Sequence, residues 1–214
     1  MRTMMRTARL LLFAGIALPL ALSLHSPRAS AALDDAHGAD AVRSLYSTLL
    51  AAMRDGPALG SRGRYAQIAP VVRRVFDIPL MTRVAVGPEW AALNAAQRRR
   101  VSDAFARYIA AVYAERFDSY SGEQLQVTGE QASPGGAIIT SRIVKSDGDP
   151  VNINYLMRDN GGIWQIADVY LDGTISELAT RRSEFADILR RSGIEGLIQA
   201  LNSKAAALGS ARAS

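Results

Sequence analysis

The chain of 214 residues contains no cysteine and only two histidines, His25 and His37. Without cysteine the fold has no disulfide and no thiolate metal ligand, so its stability must come from an apolar core. His25 lies in a segment that we expect to be removed, and His37 lies among the first residues that remain. A Ser-His-Asp or Cys-His site needs a well-placed base, and zinc needs several His or Cys ligands. The sequence therefore argues against both.

Motifs for phosphate, metal and acyl-transfer chemistry are missing as well. The sequence has no glycine-rich phosphate loop, no HExxH and no GxSxG. Asp147 and Asp149 flank Gly148, but the segment lacks the other ligand positions and the terminal glutamate of a calcium loop. Asp147-Gly148-Asp149 is more typical of a tight turn between two strands. We expect no metal and no cofactor.

One apolar run lies near the N-terminus. Three arginines within the first nine residues precede an apolar segment over 10–24, and Ala29-Ser30-Ala31 has the small side chains of a cleavage site. The segment is too short for a membrane anchor, and no cysteine follows it to carry a lipid. We therefore expect residues 1–31 to be a signal peptide, cleaved after Ala31 during export.

Most of the excess positive charge of the chain lies in the predicted signal peptide. The whole chain has a formal net charge of +5. Four of its basic residues and none of its acidic residues lie before Ala32, so 21 basic residues remain against 20 acidic ones, a net charge of +1. Aromatic residues do not alternate with a basic stripe, and we expect no nucleic-acid partner.

The first half of the remaining chain has helical patterns. Apolar residues recur at helical spacing between 42 and 53, and Gly56-Pro57 predicts the end of that helix. Glycines at 60 and 63 predict that the break continues, and a short helix limited by Pro70 is expected over 65–75.

Two helix starts follow. Asp77-Ile78-Pro79 combines an N-cap acceptor with proline in the first turn, and Gly87-Pro88 ends that helix. Asn94 and Gln97 have the spacing of a capping box, which predicts the longest helix from Ala95 to about Phe117. The apolar stripe of this helix comprises Val101, Phe105, Tyr108, Ile109 and Val112.

Strand patterns dominate the second half. We expect strands over 125–129, 137–145, 151–158 and 163–171, separated by glycine-rich turns. In the last strand the apolar residues change parity, so either both faces are covered or a bulge near Ala167 shifts the register.

Helices close the chain. Asp172-Gly173-Thr174 ends the last strand and can cap a helix with apolar residues at Leu178, Phe185 and Leu189. A final amphipathic helix is expected over 194–208, and residues 209–214 are expected to form a disordered tail. The pattern predicts one α+β domain over 32–208, in which a helical N-terminal half packs on a four-stranded curved antiparallel sheet.

Two segments carry a resemblance to a known family. One segment consists of Trp164-Gln165-Ile166-Ala167-Asp168-Val169, Asp172-Gly173, Ser176 and Arg182-Ser183-Glu184-Phe185. The other consists of Asp77-Ile78-Pro79, Val86-Gly87-Pro88-Glu89-Trp90, Gln97-Arg98 and Phe105. In these residues the chain resembles the MlaC family of periplasmic phospholipid-binding proteins, also called toluene-tolerance auxiliary components. The run from Val169 to Phe185 is most similar to the hopanoid-associated branch called HpnM.

The resemblance implies a periplasmic, non-enzymatic lipid carrier, expected as a monomer, that acts in outer-membrane lipid asymmetry. It would hold phospholipid or hopanoid tails in an apolar cavity between sheet and helices. It would exchange them with an inner-membrane ABC transporter bearing an MCE-domain ring, and with an outer-membrane lipoprotein. The candidate cavity residues are Met81, Phe105, Tyr108, Val112, Ile153, Tyr155 and Ile166. By periodicity alone, the same residues would form an ordinary core.

Two other functions stay open. The same fold without cargo would serve as an adaptor of the transporter. A ketosteroid-isomerase-like enzyme would place Asp168 as an acid among Trp164, Ile166 and Tyr170, although a capping role suits a single strand aspartate better. Arg181-Arg182 and Arg190-Arg191 would face lipid headgroups or a partner, or form a solvated helix face.

Overall fold

The computed structural model describes residues 37–145 and 148–210. The predicted signal peptide over 1–31, Asp147 of the predicted turn and residues 211–214 of the predicted tail lie outside the described residues.

Four α-helices and one 3-10 helix form the first half of the described chain. They are α1 (His37–Arg54), α2 (Gly56–Val75), α3 (Ile78–Val86), the 3-10 helix (Gly87–Ala92) and α4 (Ala95–Arg116).

Helix α2 is longer than the sequence pattern predicts. It begins at Gly56 with Pro57 in its first turn, where the missing proline N–H has no helical partner to lose. Within this helix, Gly60 takes a non-helical conformation (φ 60°, ψ −179°), and Pro70 lies in the helix interior. The predicted break is therefore confirmed at Gly60, where two helical segments meet, but residues 61–63 are helical, so the second segment begins earlier than predicted.

The predicted helix starts at α3 and α4 are confirmed by their capping bonds. The Asp77 carboxylate accepts a hydrogen bond from the Leu80 backbone N–H at 3.1 Å. Asn94 accepts from the Gln97 N–H at 2.9 Å, and the Gln97 side chain accepts from the Asn94 N–H at 3.1 Å. Gly87 ends α3 with a positive φ of 75°, a conformation that glycine adopts without strain.

In the second half of the described chain, five strands form an antiparallel sheet in sequential order. Four of them correspond to the predicted strands, and the fifth is a two-residue strand that the sequence pattern does not predict. The strands are β1 (Gln124–Ser133), β2 (Gly136–Val144), β3 (Val151–Asp159), β4 (Trp164–Leu171) and β5 (Ile175–Ser176).

A bulge at Ala167 explains the change of parity in β4. Leu156 of β3 pairs with Asp168, and Met157 pairs with Ile166, so Ala167 has no partner on β3. The bulge, one of the two predicted explanations, is confirmed; the four residues of β4 from Ile166 to Val169 are all buried, so both faces of the strand are covered there as well.

The closing helix α5 (Glu177–Ser210) consists of two helical segments that meet at a kink, where Gly193 has a non-helical conformation (φ 61°, ψ −168°). The final helix predicted over 194–208 is confirmed as the second segment. The cap at the start of α5 differs from the prediction. Asp172 has a positive φ of 49° and lies in a turn before β5. Ser176 caps the helix instead, because its hydroxyl oxygen accepts from the Ala179 N–H at 2.9 Å.

The helices pack on one another and on the sheet around a shared apolar core. Helix α4 lies against α5, where the rings of Phe105 and Phe185 meet edge to face at 5.4 Å. The junction between α2 and α3 is tied to β4, because the Asp77 N–H donates to the Ile166 carbonyl oxygen at 2.9 Å. These contacts bring one face of α4 opposite the strands.

Candidate functional site

An apolar pocket of about 310 Å³ lies between α4 and the sheet. Successive turns of α4 form one wall and strands β2, β3 and β4 the other, while α3 and the first turns of α5 close the sides. The apolar and aromatic lining residues are Phe76, Met81, Phe105, Tyr108, Ile109, Val112, Tyr113, Phe117, Ile143, Val151, Ile153, Tyr155, Val169, Leu171 and Leu178.

Six of the seven residues selected from the sequence line this pocket: Met81, Phe105, Tyr108, Val112, Ile153 and Tyr155. The seventh, Ile166, lies elsewhere. It is fully buried in β4 and pairs with Met157, so it packs in the protein core. That the six residues bind a lipid stays a prediction.

A chain of hydroxyl groups runs inward from the pocket wall. The Ile153 carbonyl oxygen can only accept, so the Ser141 hydroxyl donates to it. Tyr46 then donates to Ser141 Oγ at 2.6 Å, and Tyr155 donates to the Tyr46 oxygen at 3.2 Å. Every hydroxyl in this chain is paired, which allows polar groups to lie beside an apolar pocket.

Burial raises the pKa of three tyrosines in this region. Desolvation raises the pKa of Tyr46 above its ordinary value, and it raises that of Tyr155 much further. Burial also raises the pKa of Tyr113, which lines the pocket next to Tyr155. All three side chains are therefore neutral donors and acceptors at ordinary pH.

The charged residues of the pocket lining are Arg116, Lys145, Glu177 and Arg181. Arg181 is the most enclosed of the three cations: it pairs with Glu177 and Glu184, each at 3.0 Å, and its guanidinium lies 5.5 Å from the centre of the Tyr108 ring. Burial alone would lower the pKa of Arg181, but Tyr108 and the two glutamates outweigh it and raise the pKa. This ion-paired group joins the start of α5 to α4.

Comparison with known protein families decides what kind of fold this is. The sequence model of the MlaC protein family matches residues 43–203, which is most of the chain. The chain belongs to the MlaC family. A similar solved structure is that of a phospholipid-binding protein from Ralstonia solanacearum, determined in complex with a phospholipid.

The likeness between this MlaC-family chain and the Ralstonia protein extends over nearly the whole fold. The two share 22% sequence identity with a TM-score of 0.66, over 80% of this chain and 98% of the other. At this identity the likeness establishes the α+β fold. The closer similarity to the hopanoid-associated branch stays a prediction.

Asp168 has a structural role in this MlaC-family protein. Its Oδ1 accepts from the backbone N–H groups of Val169 at 2.7 Å and Leu178 at 3.1 Å, and its Oδ2 accepts from the Ser176 hydroxyl at 2.7 Å. Asp168 is not among the residues that line the pocket. These bonds hold the end of β4 against the start of α5, as expected of a capping residue rather than a catalytic acid.

Sequence reasoning missed several residues of the site. Tyr113 and Arg116 lie one turn after Ile109 and Val112 on the same face of α4. Helical spacing would have found Tyr113, whereas the charge of Arg116 excludes it from an apolar pattern. Phe76, Lys145 and Glu177 lie at the ends of elements, where no local pattern indicates which surface they face.

Neither a metal-binding cluster nor a membrane-spanning helix occurs in the described part of the chain. In residues 37–145 and 148–210 there is no group of three or more histidine or acidic side chains that could hold a metal ion. No helix in those residues has both the length and the hydrophobicity to cross a bilayer.

Proposed function

We propose that this protein is a periplasmic carrier that binds phospholipid, with an acyl chain in the pocket between α4 and the sheet. The observation that supports the proposal is the pocket itself, whose lining is apolar and aromatic apart from four charged residues. Membership of the MlaC family and the fold shared with the phospholipid-binding Ralstonia protein support the same function.

The size of the pocket suits a single flexible acyl chain of a lipid. A volume of about 310 Å³ lies at the lower end of the range for ligand sites. If each small group occupies about 30 Å³, as a water molecule does in the liquid, the pocket holds roughly ten methylenes. Burial of about ten methylenes contributes about 8 kcal/mol, and association costs at least about 4 kcal/mol of that. The net free energy of binding that remains is modest, which suits a carrier that must release its lipid.

Phospholipid suits this pocket better than a hopanoid does. The rigid fused rings of a triterpenoid need a wider space than a single acyl chain, and the pocket volume is only about 310 Å³. We therefore place phospholipid ahead of hopanoid as cargo.

Exchange with other components of the envelope is part of the proposal. The proposed partner is an inner-membrane ABC transporter with an MCE-domain ring, and the proposed second partner is an outer-membrane lipoprotein, as the resemblance described in the sequence analysis implies. A lipid-transfer assay between the purified chain and the transporter in nanodiscs tests this directly. Absence of transfer in both directions would remove the transporter from the proposal.

Mass spectrometry of an organic extract of the protein from its native source tests the carrier function. We expect phospholipid in about equimolar amount. A protein that repeatedly yields no lipid would support the cargo-free adaptor, and a triterpenoid in place of phospholipid would overturn the choice of cargo. The enzyme alternative has no support from Asp168, whose two oxygens are held by Val169, Ser176 and Leu178.

A further inference from the structure

Two cationic side chains of the pocket lining have no counter-ion in the described part of the chain. Arg116 is the last residue of α4, and Lys145 follows directly after β2. Both line the pocket and both are exposed. Within residues 37–145 and 148–210, no ion pair joins either of them to an acidic side chain.

The balance of charge at the pocket is positive. Three of its four charged lining residues are basic and one, Glu177, is acidic. Glu177 is paired with Arg181, which also has Glu184 as a partner. The positive charges of Arg116 and Lys145 are therefore not compensated by any acidic residue in the described lining.

The position of these two side chains places their charges where the pocket meets solvent. Long basic side chains lay their methylene stems on apolar surface and keep the charged group in water. Arg116 is close enough to the inner wall for its charge to act on Tyr113: burial raises the pKa of Tyr113, and the Arg116 guanidinium opposes that effect. Arg116 thus lies at the boundary between the apolar pocket and its entrance.

We propose that Arg116 and Lys145 form an anion subsite that holds the phosphate of a bound phospholipid while its acyl chain fills the pocket. A guanidinium offers two parallel N–H donors to a phosphate, and an ammonium adds a mobile positive charge. This subsite rests on the proposed function, and it adds a selectivity: a lipid with an uncharged headgroup gains nothing from it.

Two single-chain lipids with the same acyl chain separate the subsite from the pocket. Lysophosphatidylglycerol carries a phosphate, and monoacylglycerol does not. Titration calorimetry below their micellar concentrations measures both affinities for the purified chain and for the double variant Arg116→Gln/Lys145→Gln. We expect the chain to bind lysophosphatidylglycerol about tenfold more tightly than monoacylglycerol, and the double variant to bind the two lipids with affinities within twofold of each other.

A matched control removes two positive charges elsewhere. Arg99 is exposed at the other end of α4, about 26 Å along the helix axis from Arg116. Arg158 is exposed near the end of β3 that lies away from the pocket residues Val151 and Ile153. The variant Arg99→Gln/Arg158→Gln should keep the tenfold preference, because the change in net charge is the same but the pocket is untouched.

The outcomes distinguish failure of the subsite from failure of the carrier. Suppose that both lipids bind, but that Arg116→Gln/Lys145→Gln loses no more of the preference for lysophosphatidylglycerol than the control Arg99→Gln/Arg158→Gln does. The proposed subsite is then wrong, and the proposed carrier function is unaffected. If neither lipid binds the unaltered chain, both proposals fall. If inorganic phosphate alone binds at Arg116 and Lys145 as tightly as lysophosphatidylglycerol, the site is one for free anions and the headgroup assignment is overturned.

Discussion

Filling the pocket from α4 is the sharpest test of where the acyl chain binds. Val112 lines the pocket and is only partly buried, so a larger side chain at this position can enter the pocket without displacing the core. The variant Val112→Trp adds seven side-chain heavy atoms. If about half of them enter the pocket, they take the place of roughly four methylenes of the lipid, at about 30 Å³ each.

The loss of affinity follows from those methylenes. At about 0.8 kcal/mol each, four methylenes are worth about 3 kcal/mol, which weakens binding by roughly 100-fold to 200-fold. Titration of Val112→Trp with lysophosphatidylglycerol measures this loss, and phospholipid should also disappear from the extract of the variant.

A second valine provides the control. Val84 lies on α3, is 36% exposed and does not line the pocket. Val84→Trp introduces the same side chain on a helix surface and should bind lipid as the unaltered chain does. A folded Val112→Trp protein, judged by an unchanged thermal transition, that still binds lipid with full affinity would refute the assignment of the pocket as the binding site.

Three further predictions concern stability. Asp168→Asn weakens three hydrogen bonds at the junction of β4 and α5, so we expect a loss of about 1–3 kcal/mol and a fall in Tm of several degrees, with lipid still bound below the transition; an unchanged Tm would contradict this role. Because burial raises the pKa of Tyr46, Tyr113 and Tyr155 above the ordinary value of 10.0, the unfolded chain loses these protons first. The contribution of these tyrosines to the free energy of unfolding is therefore fully present below pH 10 and is lost as pH rises above it. In thermal melts from pH 8 to 11, the Tm of Tyr155→Phe should fall less steeply with pH than the Tm of the unaltered chain. Equal slopes for the two proteins would disprove the contribution of Tyr155. A Cβ at Gly56 would lie 2.1 Å from the Asp118 carbonyl oxygen, so Gly56→Ala should lower Tm, whereas Gly209→Ala, whose Cβ meets nothing within 4 Å, should leave Tm unchanged.

Local chemistry determined much of the fold in advance. The starts of α3 and α4 depend on hydrogen bonds between residues three apart, Asp77 with Leu80 and Asn94 with Gln97, so a short window of sequence contains everything that forms them. The change of parity in β4 is local too and limits the explanations to a bulge near Ala167 or two covered faces, but only the pairing with β3 shows that the bulge is present.

The start of α5 shows where local reasoning fails. Asp172, Thr174 and Ser176 all have side chains that can cap a helix. Ser176 is selected because Asp168, on the neighbouring part of β4, accepts from its hydroxyl and from the Leu178 N–H. A cap that depends on a residue eight positions away cannot be read from the segment that it caps.

The sequence by itself determined which faces of α4 and of the strands are apolar, since helical and strand periodicity are properties of neighbouring residues. Only the tertiary structure decided which of those apolar residues face the pocket and which face the core. Ile153 and Ile166 have the same chemistry, but Ile153 lines the pocket whereas Ile166 packs at the junction of α2 and α3. The physical reason is that a cavity exists wherever packed elements fail to meet, and that gap depends on contacts between residues far apart in the chain.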